Sequence, residues 1–183
     1  HGGGIFSKGN TVTVDGNAKI NGNVIGNAYG AAAYIESSAT IILGGNAELV
    51  GNILNRTSSS GNMQGVVIYA SASHVVLKDN ASIRDNVAVG ARPVYGAIYL
   101  YSASSFIMTG GSISGTVGGT SNYDRGGAIN AAGSSDVWLL GGVIEGNHSS
   151  QYGGAVFSGS TGSLYLTGTT IRNNTIGGAS ASA

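Results

Sequence analysis

The side chains able to do acid–base or metal chemistry in this 183-residue chain are few: eight Asp and Glu, eight Lys and Arg, and three His. Enzymes that cleave polysaccharides hold two carboxylates, or a carboxylate with His, Arg or Lys, at a fixed separation. Asp15, Asp79, Asp85, Asp124 and Asp136 fall at unrelated places in the surrounding sequence, so no such pair recurs. Asp79, Arg84 and Asp85 are close along the chain but flank a turn, and they read as a solvated corner rather than a calcium or acid–base site. His1 could chelate copper through its amine and imidazole, yet an oxidative copper site needs a second His, and His74 and His148 are far away in sequence. Gly2-Gly3-Gly4 and Gly126-Gly127 lack the following helix and the Lys-Ser/Thr pair of a phosphate loop. The residues therefore point away from an enzyme. No catalytic, cofactor-binding or metal-binding residue is assigned.

Covalent modification has four candidate acceptors. Asn55, Asn80, Asn147 and Asn173 each open an Asn-x-Ser/Thr sequon. A chain this rich in Asn, Ser and Thr also generates sequons by chance.

Any binding residues must be positioned by something, and the sequence supplies it as a repeat. An alternating apolar triplet is followed by a Gly/Asn step, then one Ile or Leu, then Asn or Thr. The copies are Val12-Thr13-Val14 with Ile20 and Asn23; Ile41-Ile42-Leu43 with Leu49 and Asn52; and Val75-Val76-Leu77 with Ile83 and Asn86. They continue as Phe106-Ile107-Met108 with Ile113 and Thr116; Val137-Trp138-Leu139 with Ile144 and Asn147; and Leu164-Tyr165-Leu166 with Ile171 and Asn174. A second, Gly-led strand precedes most triplets, as in Gly96-Ala97-Ile98-Tyr99 and Gly127-Ala128-Ile129-Asn130, with a looser Ala32-Ala33-Tyr34-Ile35 in the second copy. The period of roughly 27 to 34 residues is that of a stacked array.

Alternation sends the first and third triplet residues to one side of a strand and the middle one to the other. Gly and Asn then supply the positive φ of a tight turn. Gly is too frequent, at 33 residues, for helix interiors, and no helical period is sustained. The expected fold is all-β: a single right-handed parallel β-helix over residues 1–183, of about six coils beginning near 2, 31, 65, 96, 126 and 153, with three short strands per coil. Asn23, Asn52, Asn86, Asn147 and Asn174 would form an internal amide ladder interrupted by Thr116, although Asn also simply suits turns. The longer connections, 53–64, 87–94 and 117–125, are the candidate recognition loops.

Composition narrows the class further. Net charge is zero with charges scattered, so nothing suggests a nucleic-acid partner. Apolar runs are too short for membrane insertion, and there is no Cys for disulfide or thiolate chemistry. Hydrophobic residues at 42%, recurring in register, argue against disorder.

The repeats resemble the β-helical polymorphic outer-membrane protein family of bacterial surfaces, within the wider pectate-lyase-like superfamily. Its Gly-Gly-Ala-Ile motif corresponds to Gly126-Gly127-Ala128-Ile129 and Gly153-Gly154-Ala155-Val156. Its Phe-x-x-Asn motif corresponds to Ile20-Asn21-Gly22-Asn23, Ile83-Arg84-Asp85-Asn86, Ile144-Glu145-Gly146-Asn147 and Ile171-Arg172-Asn173-Asn174, with Ile in place of Phe. The resemblance covers nearly the whole chain and implies an adhesin-like role, extracellular or at the cell surface, without an active site.

The middle triplet row, Thr13, Ile42, Val76, Ile107, Trp138 and Tyr165, should face outward. A second outward row is expected at Phe6, Ile35, Tyr69, Tyr99, Asn130 and Phe157. These rows are apolar or aromatic, which marks either an interaction surface or strips covered by the long loops. No capping helix or polar end repeat is visible at either end of the array. The leading expectation is a non-catalytic structural subunit that binds copies of itself, end to end or laterally, in a filament or surface layer. An adhesin passenger fragment that binds host, matrix or carbohydrate partners, such as a host surface protein, is the alternative, and a polysaccharide lyase or hydrolase is disfavoured.

Overall fold

Equivalent residues of successive repeats lie beside one another throughout the chain. The computed structural model describes residues 1–57, 61–117, 123–159 and 161–177, which wind as an all-β parallel solenoid of about five turns. Six repeat copies give a six-stranded sheet, and the winding count is slightly below the six expected.

That six-stranded, Gly-led sheet contains Ile5–Lys8, Ala33–Glu36, Ile68–Ser71, Ile98–Tyr101, Ile129–Ala131 and Val156–Ser158. Each of these strands starts just after a turn whose Gly has positive φ: Gly2, Gly30, Gly65, Gly96, Gly126 and Gly153. A Cβ on Gly126 would sit 2.1 Å from the carbonyl oxygen of Ile129, so the turn excludes side chains.

The triplets form the second sheet in one unbroken register. Val12 pairs with Ile41, Ile41 with Val75, Val75 with Phe106, Phe106 with Val137 and Val137 with Leu164. Ile41, Val75, Phe106 and Val137 are fully buried, and so are Leu49, Ile83, Ile113 and Ile144 on the strand beyond the corner. Branched side chains at alternate positions thus line a single continuous core.

The corner between these strands changes along the axis. In the first three copies five residues turn it, with Ala18, Ala47 and Ala81 each donating its N–H to the carbonyl three residues earlier. In the fourth and fifth copies the corner is one residue shorter, and the chain runs as single bent strands, Ser105–Ser114 and Asp136–Glu145.

Three strands per coil proves too few. After the ladder position a further strand forms, at Val24–Gly26, Ile53–Asn55, Val87–Val89 and His148–Ser149. The segments read as connections begin with an alternating pair whose second member points into the core; Leu54 and Ala88 are buried there. Met63–Gln64 and Val94–Tyr95 add a short fifth pairing in the central coils.

Candidate functional site

The five Asn positions and Thr116 lie at one corner, each just after a residue of positive φ: Gly22, Gly51, Asp85, Gly115, Gly146 and Asn173. The bonds that end on an Asn side-chain oxygen all run from the earlier rung to the later one. Backbone N and Nδ2 of Asn23 donate to Oδ1 of Asn52 (3.1 and 2.9 Å), and the same atoms of Asn52 donate to Oδ1 of Asn86 (2.8 and 3.0 Å). Asn147 donates to Oδ1 of Asn174 in the same manner, at 3.0 Å for both bonds. From Asn52 onward each Nδ2 also donates back to a carbonyl of the preceding rung and to one of its own, as Asn86 does to Leu49 and Arg84. Thr116 interrupts the series: its N–H donates to Asn147 Oδ1, but its buried hydroxyl has no partner.

A second ladder, of hydroxyls, escaped the sequence reading. The N–H of Ser73 donates to Oγ of Ser104, and the N–H of Ser104 to Oγ of Ser135. Its signal was a small residue just before each triplet, masked by the abundance of Ser.

The outward triplet row is in register, Thr13 to Ile42, Val76, Ile107, Trp138 and Tyr165. Ile42, Val76, Ile107 and Trp138 are half-buried and Tyr165 is 49% exposed. The Trp138 and Tyr165 rings stack with centroids 5.8 Å apart and planes 2° from parallel.

The other row needs two corrections. Its second member is Tyr34, because Phe6 pairs with Tyr34 and Tyr34 with Tyr69; Ile35 pairs with Ser7 and Ala70 and lies in the core. Aligning the looser second copy one residue late turns the wrong face outward, since strand side chains alternate. Moreover, Tyr69 and Tyr99 are only 7% and 5% exposed, so they offer no open surface. Tyr29 from a preceding bend, Tyr95 from the short strand Val94–Tyr95 and Tyr101 from the end of the same strand as Tyr99 stack on them, and the Arg56 guanidinium covers Tyr29. Phe6 at one end is exposed, and Phe157 at the other is half-buried beneath the Arg125 guanidinium, which also lies over Tyr95 and Tyr152. Asn130 fills its place in the row as a buried amide donating to the Arg125 carbonyl.

Burial pushes the phenols up, Tyr99 to about 12 and Tyr69 further. Burial also raises the Asp124 carboxyl above the usual carboxylate range. Asp124 Oδ1 accepts the Val94 N–H at 2.9 Å, while the buried Oδ2 has no partner. Glu36, Glu48, Asp79, Asp85 and Glu145 are ion-paired on the surface, and Asp15 and Asp136 accept backbone N–H groups. Lys19 and Arg84 flank Glu48 and hold it below its ordinary value, and the Gly45 N–H together with Lys78 does so for Asp79.

His1 packs on Tyr34, His74 contacts Ser105 Oγ and His148 contacts Thr175 Oγ1, so the three imidazoles stand on separate faces. Among the described residues no three His, Asp or Glu side chains converge. No described helix is long and apolar enough to cross a membrane.

Of the sequon residues, Asn80 and Asn173 are exposed and Asn55 is half-buried at a strand end. Asn147 is corrected: it is fully buried with its amide bonded within the ladder, so it is closed to modification in the folded chain.

The end rungs differ from the middle. Leu164, Leu166 and Ile171 are 47%, 55% and 40% exposed, whereas their neighbours Val137, Leu139 and Ile144 are fully buried. At the other end Ile5, Val12 and Ile20 are half-buried, and Gly4, Ile5, Ile20 and Asn23 line a shallow concavity. No family, no curated protein and no solved structure matched the chain when each was compared with it.

Proposed function

We propose that this chain is a non-catalytic structural protein, extracellular or at the cell surface, that works as a self-associating solenoid subunit in a filament or layer. The observation that supports this reading is the core column that lies open at its last described rung, at Leu164, Leu166 and Ile171. Apolar residues in strands with an unpaired edge are a template for further strand pairing, and burial of each such side chain is worth about 1.5–3 kcal/mol. The half-exposed row from Ile42 to Tyr165 adds a lateral surface of the same character. Sedimentation equilibrium over a range of concentrations tests the reading. Average mass should rise with concentration, and a constant monomer mass up to millimolar protein would contradict it.

The Trp138–Tyr165 pair favours one other reading, an adhesin of the type the surface-protein resemblance implies, with carbohydrate as ligand. Trp138 is the sole Trp, so its fluorescence reports the site directly. Titration with oligosaccharides should then shift the emission, and Tyr165→Ala should abolish the shift. An unchanged spectrum across a panel of plant, bacterial and animal glycans would remove this reading.

A further inference from the structure

We infer that the partner at the open rung is a second copy of this chain, stacked head to tail in register, so that Asn174 of one copy donates to Asn23 of the next. This rests on the self-association reading above and adds to it a direction, a register and a pair of surfaces.

The ladder is polar. At every complete step the backbone N–H and Nδ2 of the earlier Asn donate to Oδ1 of the later one, as from Asn23 to Asn52 and from Asn147 to Asn174. One end of the series is therefore the Asn23 Oδ1 acceptor and the other is the Asn174 backbone N–H donor. Among the described residues neither has a partner. Bringing these ends together repeats a bond the chain already makes internally. Neither two heads nor two tails placed together repeat that bond, and only the head-to-tail placement also gives Asn23 Nδ2 the carbonyl of a preceding rung that Nδ2 of Asn52, Asn86, Asn147 and Asn174 each has.

The apolar columns match in the same placement. Leu164, Leu166 and Ile171 of the last rung occupy the register positions of Val12, Val14 and Ile20 in the first, and Val156 occupies that of Ile5. Phe157 would likewise meet the exposed Phe6, continuing the outer row.

One mismatch has a precedent within the molecule. Four residues separate Leu166 from Ile171, whereas five separate Val14 from Ile20. The same difference occurs between Leu77–Ile83 and Met108–Ile113. There the strands on both sides of the corner stay in register, Val75 against Phe106 and Ile83 against Ile113. The short corner and the long corner therefore stack without breaking either strand pairing.

Two different surfaces meeting by translation make a heterologous contact that does not close. The product is a polar filament. The six described rungs, about 4.8 Å apart, span roughly 29 Å of its axis.

Mixing two end-blocked variants of the whole chain tests the direction. Ile20→Lys places a charge on the head surface and Leu166→Lys places one on the tail. Each alone should be monomeric in sedimentation velocity at concentrations where the unmodified chain polymerises, and an equimolar mixture should give a species of twice the monomer mass and nothing larger. Val12→Glu and Leu164→Glu replace them if either loses its β-sheet circular dichroism. If the unmodified chain polymerises but the mixture stays monomeric, or if either variant dimerises alone, the head-to-tail register is overturned and self-association still stands. If the unmodified chain stays monomeric, both fall.

Discussion

Tyr34 and Tyr69 lie face to face, their ring centroids 4.8 Å apart and their planes 9° from parallel. The rings take up the spacing of the strands that carry them, about 4.8 Å in a hydrogen-bonded sheet. An outward row that alternation alone would leave in water thus becomes a small second core, separate from the interior one and made of Tyr34, Tyr69 and Tyr99.

Ionising these phenols should unfold that second core. The folded-state values of Tyr69 and Tyr99 are raised, Tyr99 to about 12, from an ordinary value of 10.0. A group whose value is raised on folding contributes stability that is full below its unfolded value and lost as pH climbs through its folded one. Denaturation midpoints should accordingly hold steady to about pH 9 and fall between about 10 and 12. Absorbance at 295 nm should show late-titrating phenols, and Tyr69→Phe with Tyr99→Phe should flatten the decline.

The interrupted ladder offers a gain and a loss. Asn86→Ala leaves the Asn52 N–H and amide without their acceptor and should cost about 2–3 kcal/mol in urea melts. Thr116→Asn replaces an unpartnered buried hydroxyl with the amide used by the neighbouring rungs, and should raise stability by about 1 kcal/mol. A loss of stability in the second variant would show that the fourth corner is too tight for the ladder.

Asp124→Asn should stabilise the chain at neutral pH. The carboxyl is 2% exposed and its value is raised by burial, so its contribution is present at low pH and lost as pH rises through the raised value. An amide keeps the acceptor for the Val94 N–H and removes the buried charge, a gain of about 1 kcal/mol at pH 7 that should vanish near pH 3. An equal effect at both pH values would mean that charge is not the cause.

Gly126→Ala should cost about 2 kcal/mol or more, from the left-handed backbone together with the close approach to the Ile129 carbonyl. Gly146→Ala has a similar φ of 62° but its nearest neighbour is 4.0 Å away, so its cost should be confined to the backbone term. Thermal melts of the pair separate conformation from crowding.

Most of the coil was legible because the inward positions carry a pattern of period two. Val75 and Leu77 bracket Val76 in one triplet, and each lies against an apolar equivalent above and below, Ile41 and Phe106 for Val75 and Leu43 and Met108 for Leu77. Two kinds of feature were not legible. Ala33 stands where other copies have Ile or Val, so in the second copy the strong residues Tyr34 and Ile35 could be read on either face, and only pairing with Phe6 and Tyr69 decides. The strand after each Asn is three residues long or shorter, too brief for alternation to stand out from a loop. Tyr101 shares the face of Tyr99 by alternation, but burial of Tyr69 and Tyr99 also depends on Tyr29 and Tyr95, whose approach from outside the sheet is a tertiary event with no periodic trace.

Hydrogen exchange at the Asn174 backbone amide tests the central claim most directly, because that N–H is the open end of the ladder. In dilute solution it should exchange near the rate of an exposed amide, while the Asn147 amide, bonded to Asn174 Oδ1, is protected. Raising the protein concentration should bring Asn174 to the protection of Asn147, and Ile20→Lys should prevent this. Fast exchange at Asn174 that is independent of concentration would contradict the account.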